Sequence, residues 1–287
     1  MIRGLSRGGA AGIFPLGEEC TFLHRLPGRW QIPSAFLISV VFWTMEWLFS
    51  PIDPSRAHFI SAGISWHARV MLLAWGVLAP AAILVARFFK ITPHQDWPRV
   101  LDNPFWWRTH WITQSLVICL SAVGLVIIVL TAPADSAAGL HRWLGYTVLV
   151  CGVFQGLSGY FRGSKGGPAD GGSGEIRSGD HYNMTPWRLA FETVHKSVGY
   201  LVLPVAAVAI ISGLWSVNGP VWMWMTIFVW WGFLIIVSFF LQTRGYAVDT
   251  YQAIWGPDPG HPGNQMKLRG WKMRRPDLPP RRGGRGS

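Results

Sequence analysis

The chain has 287 residues, half of them hydrophobic, with 18 Trp and only 14% charged residues, against roughly 25% charged in soluble domains. That composition excludes an ordinary soluble globular domain and points to a polytopic membrane protein. The net charge of +11 is no nucleic-acid signature, because the basic residues cluster between nearly uncharged, membrane-length runs.

Residues 1–32 carry Glu18 and Glu19 before any apolar run and read as a cytoplasmic segment, not as a cleavable signal peptide. Six spans follow, at about Pro33–Phe49, Trp66–Arg87, Thr109–Thr131, His141–Phe161, Glu192–Trp215 and Val221–Leu241. The first is short and holds Glu46. The fourth is only moderately apolar, and its Gly145, Gly152, Gly156 and Gly159 predict close packing among neighbours. Pro80 and Pro204 lie inside spans, where neighbouring helices can satisfy the freed carbonyls. Most Lys and Arg residues fall on one side of this six-span arrangement, with only Arg56, Arg69 and Arg142 on the other. The positive-inside rule then places both termini in the cytoplasm. The Gly-rich stretch Gly163–Gly174 reads as a flexible loop, and residues 242–287 read as a basic, partly disordered tail. Cys20, Cys119 and Cys151 form no CxxC pair, so neither a disulfide framework nor a cysteine metal site is expected.

Histidine carries the chemistry. His24, His58, His94, His181 and His261 fall in connections or tails and read as solvated. The other four open consecutive spans: His67, His110, His141 and His195. Spans two and four run the same way, which puts His67 and His141 at one level on the non-cytoplasmic side. Spans three and five run oppositely, which puts His110 and His195 together near the cytoplasm. Ionisable groups at membrane depth are costly and mark function, and facing helices of a bundle hold cofactors by inward side chains. Two neutral imidazoles fill both axial positions of a haem iron, which favours electron transfer; zinc fits poorly, lacking a third or fourth ligand at either level. Each histidine has a basic neighbour, Arg69, Arg108, Arg142 or Lys196, able to meet a haem propionate.

These segments resemble the cytochrome b561 family. HARVMLLAWGVLAPAAILVARFFK is similar to that family's second helix, FWWRTHWITQ to its third, HRWLGYTVLVCGVFQGLSGYFR to its fourth and ETVHKSVGYLVLPVAAVAIISGL to its fifth. The resemblance covers about Ser34 to Leu241. It implies an all-α bundle with a four-helix haem-binding core and two haem b groups, one between His67 and His141 and one between His110 and His195. It also implies one-electron transfer across the bilayer, from a quinol, ascorbate-like or cytoplasmic donor to an outer acceptor such as ferric iron. The expected setting is a bacterial inner (plasma) membrane, with a homodimer compatible and no nucleic-acid partner. Lys90 and Arg162 are weak candidates for donor contact. A proton-coupled transporter and a non-redox anchor subunit are the rival readings. The first lacks acidic partners at depth beyond Glu46 and Glu192; the second leaves the histidines without purpose.

Overall fold

A computed structural model describes residues 34–58, 60–132, 139–168, 176–177, 179–268 and 270–276. The expectations for residues 1–32, for residues 169–174 of the Gly-rich loop and for residues 277–287 lie outside these. The chain divides between Trp47 and Leu48. The first unit contributes α1, Ser34–Phe49; everything below concerns the second.

Among the described residues of that second unit are five long helices: α2 (Ala62–Phe88), α3 (Pro104–Thr131), α4 (Gly139–Tyr160), α5 (Pro186–Ser216) and α6 (Val221–Thr243). Their starts follow from local chemistry. Asn103 caps α3 and Thr185 caps α5, each accepting from a first-turn amide, and each is followed by a proline at a position whose N–H would go unused. Ser61 caps α2 in the same way. The sole ladder among the described residues pairs Gly167–Pro168 with Ile176–Arg177.

By length and apolarity, α2, α3, α5 and α6 can each cross a bilayer. At 22 residues α4 is long enough but less apolar, and α1, with 16, is short. Val229, Ile235, Ile236 and Phe239 of α6 are exposed. In water such a face is a liability, and against lipid it is the expected surface.

The proline in α2 shows how a broken ladder is tolerated. Leu72–Leu78 is wound as a π-helix just before Pro80, whose ring excludes a bond to the carbonyl four residues back. That carbonyl, on Gly76, accepts instead from Trp230 Nε1 of α6 at 2.9 Å. The helix widens locally and a neighbour supplies the missing donor.

Between the ends of α2–α5 lies an apolar core of Ala74, Trp75, Ala79, Val117, Val148, Val202 and Ala206. Gly152 lets α4 approach the Trp75 ring; an added Cβ would lie 3.2 Å from it. At one end of the bundle, buried Asn218 ties the loop after α5 to the Asp53 and Arg56 carbonyls.

The described part of the tail is more firmly held than its Pro, Gly and Arg content suggests. Ala247, Val248, Tyr251, Ala253 and Ile254 are buried, and Thr250–Trp255 forms a short helix capped by Asp249. Arg275 fixes the fold-back, bonding Asp249 Oδ2 at 3.0 Å and the Asn264, Gly263 and Met266 carbonyls at 2.6–2.8 Å. Composition alone misses this because the apolar contacts are made to distant helix ends.

Candidate haem-binding centres

Each of α2–α5 contributes one histidine, and the four rings form two pairs. His67 and His141 have ring centroids 6.0 Å apart with planes at 88°. His110 and His195 lie 6.3 Å apart at 74°. An imidazole nitrogen sits about 2 Å from a first-row metal, and with a ring radius of about 1.1 Å on each side two axial rings fall about 6 Å apart. Both pairs therefore match the span that one iron would bridge.

The second nitrogen of every ring is engaged. His67 Nδ1 lies 2.8 Å from the Gly124 carbonyl and His141 Nδ1 2.8 Å from that of Ala209. His110 Nδ1 reaches the Ala82 carbonyl at 3.4 Å. A carbonyl only accepts, so these three rings carry their proton on Nδ1 and leave the Nε2 lone pair for a metal. His195 Nδ1 meets Ser158 Oγ at 2.9 Å, and that hydroxyl gives its hydrogen to the Gln155 carbonyl at 3.0 Å. The serine can then only accept from the ring, so His195 presents Nε2 as well.

These bonds tie the two levels together reciprocally. Helix α2 carries His67 and the carbonyl that orients His110, while α3 carries His110 and the carbonyl that orients His67. The same exchange links α4 and α5, through His141 with Ser158 and His195 with Ala209. On each helix the ligand and the orienting group are 14 to 17 residues apart, about 21–25 Å at 1.5 Å per residue. One pair thus sits near each end of the bundle, with the apolar core between.

Two glycines near His141 differ in what surrounds them. Gly145, one turn beyond His141, would place a Cβ within 4 Å of nothing, whereas one on Gly213 would lie 2.8 Å from His141 Cε1. Small residues here give the ring its position and leave room beside it. Two facing imidazole pairs with free Nε2 atoms are a donor set that fits haem; among the described residues no cluster of three or more His, Cys, Asp or Glu suits another metal.

The basic neighbours differ. Arg69 and Arg108 are exposed, Arg69 lying over the Trp66 ring at 5.2 Å. Arg142 is also exposed. Lys196 spends its charge on Glu192 Oε2 at 3.1 Å, and Arg188 approaches the other oxygen at 3.2 Å. Both cations are thereby drawn to a buried carboxylate one turn from His195, a pairing the sequence reading missed. It was visible as the i, i+4 spacing of Arg188, Glu192 and Lys196.

Two histidines expected to be solvated are buried. His181 is 3% exposed and His261 5%, because the tail, which carries His261, folds onto the segment before α5 and packs that ring against Tyr182 and Trp255. His181 stacks on Tyr251 at 4.6 Å and accepts from Trp255 Nε1; burial, then nearby Arg188, pushes it down to about 3, so it is neutral. Lys90 is also buried and donates to the Val248 carbonyl at 2.9 Å. Its desolvation pushes the amine down to about 7.

Residues 66–163 match the family model for eukaryotic cytochrome b561. A transmembrane reductase of Bos taurus is 27% identical over 56% of this chain and 68% of its own length. A cytochrome b561, DM13 and DOMON domain-containing protein of Arabidopsis thaliana is 28% identical over 52% of this chain. A putative ferric-chelate reductase 1 of Xenopus laevis is 28% identical over 34% of it. The chain spans only 14% and 17% of these last two. No solved structure gives a significant match. Over residues 66–163 the chain is therefore similar to the cytochrome b561 family, and its apolar helices are those of an integral membrane protein.

Proposed function

We propose that the protein is a dihaem transmembrane electron carrier, passing single electrons between a donor on the His110/His195 side, or a quinol in the bilayer, and an acceptor on the His67/His141 side. The observation that carries this reading is the pair of facing imidazoles at each level, 6.0 and 6.3 Å apart, each with Nδ1 engaged. The bound haems would supply reversible one-electron exchange with no open coordination position. The protein holds His67 and His141 at one level and His110 and His195 at the other, orients the four rings, and excludes water between them with the Trp75 core. In this reading Arg69, Arg108 and Arg142, all exposed, would meet propionates, and Lys196 would do so by exchanging Glu192 for one. In this reading six helices cross the membrane, both termini face the cytoplasm of a bacterial cell, and ferric iron is a fitting acceptor.

Proteoliposomes enclosing a reductant, with an impermeant ferric chelate outside, test it. One electron should leave per ferrous iron formed. The rate should fall to the protein-free background in His67→Ala and in His110→Ala. Equal rates in wild type and both variants would remove the electron-transfer assignment.

A further inference from the structure

Tail residues 245–268 and 270–276 lie across three of the four helix ends at the His110/His195 level. Lys90, just beyond α2, donates to the Val248 carbonyl. Arg87 donates to the Trp271 carbonyl at 2.8 Å and to Gln242 Oε1 at 2.7 Å. Before α3, the Asp102 amide reaches the Ala253 carbonyl at 3.3 Å. Beside α5, Tyr251 stacks on His181, and the cavity between Glu192, Lys196, Tyr251 and Arg275 has about 20 Å³, room for a single water. No organic donor fits in that cavity; a wider one of about 300 Å³ lies on the other side of Val248, lined by Ile91, Thr92, Trp97, Tyr246 and Arg274, and neither Lys90 nor Arg87 lines it. Two cations that would attract an anionic reductant instead donate to uncharged oxygens of the same chain, Lys90 to a tail carbonyl and Arg87 to a tail carbonyl, the Gln242 side chain and the Tyr200 hydroxyl.

We propose that residues 245–276 determine which class of donor reaches the His110/His195 level: closed, they deny Lys90 and Arg87 to organic anions in water and favour a neutral donor arriving from the bilayer. This rests on the electron-transfer reading above. It also accounts for a feature that reading leaves unused, a tail whose described residues bond Arg87, Lys90 and Asp102 and stack on His181.

The test uses the full chain and two reductants, ascorbate as the organic anion and duroquinol as the neutral donor, alongside acetylation of lysines by an N-hydroxysuccinimide ester read by mass spectrometry. In wild type, Lys90 should be modified far more slowly than exposed Lys267, and duroquinol should reduce the haem faster than ascorbate. Arg275→Ala removes the fastening of the cover without touching the histidines. It should raise both Lys90 modification and the ascorbate-to-duroquinol rate ratio by about tenfold or more, given the charged hydrogen bonds lost. Asp249→Asn keeps a capping side chain, removes the charge facing Arg275, and should move both readouts the same way if Arg275→Ala fails to fold. Lys90 modified as fast as Lys267 in wild type would show that the cover is not closed. Lys90 exposed in the variants with an unchanged rate ratio would show that it does not select donors. A chain without haem would sink the electron-transfer reading and donor selection together, and the labelling arm would still report closure by itself.

Discussion

Gly213 and Ser158 set the positions of the two α4- and α5-borne rings at their two ends. A Cβ at Gly213 would stand 2.8 and 2.9 Å from His141 Cε1 and Nδ1, closer than side chains pack, and the edge of a helix gives it nowhere to go. Gly213→Ala should therefore lose the haem at the His67/His141 level and keep the other, halving the haemochrome absorbance per chain. Ser158→Ala leaves the His195 Nδ1 proton without its acceptor. Haem affinity at that level should drop about 10- to 100-fold, the usual cost of removing such a partner, as read by haem loss to apomyoglobin. Sequence showed which histidines pair, because one per span in alternating directions leaves a single arrangement by level. It did not show what orients them. Three of the four Nδ1 partners are backbone carbonyls, which every residue carries and no residue type announces.

Among the elements, α2 and the tail illustrate opposite cases. The Pro80 break in α2 was readable from the proline alone, and the remedy follows the general rule that a neighbour satisfies the freed carbonyl; only the identity of the donor, Trp230, needed the fold. The tail reads as polar and irregular, yet its Val248, Tyr251 and Ile254 form a buried stripe too short to register as an amphipathic helix. Lys90 beneath it makes the closure pH-dependent. Its amine falls from an ordinary 10.5 to about 7, so between those values the unfolded chain holds a proton that the closed form releases. Stability contributed at this position therefore rises with pH across that window and is least below pH 7. Around Lys90, Lys196 and Arg87 push the same way while Asp249 and Glu192 oppose. Replacing Lys90 by Met removes the burial of a charge. The Tm advantage of Lys90→Met over wild type should be largest near pH 6–7 and shrink toward pH 10; an advantage independent of pH would mean that Lys90 does not titrate in the closed form.

For the molecule as a whole, composition already pointed to a helical membrane protein and spacing to a four-helix core. The number of spans is less legible. Among the described residues four helices satisfy both length and apolarity, whereas α4 trades apolarity for the glycines that admit its neighbours and α1 is too short to decide by length. The central claim is that the bundle holds two centres at separate levels, each depending on its own histidine pair. The measurement that meets it most directly is the haem-to-protein ratio by pyridine haemochrome in wild type, His67→Ala, His110→Ala and the double variant. Two, one, one and none are expected, with each single variant keeping a b-type spectrum from the intact pair. A wild-type ratio of one, or a single substitution that empties both levels while the chain stays folded, would contradict it.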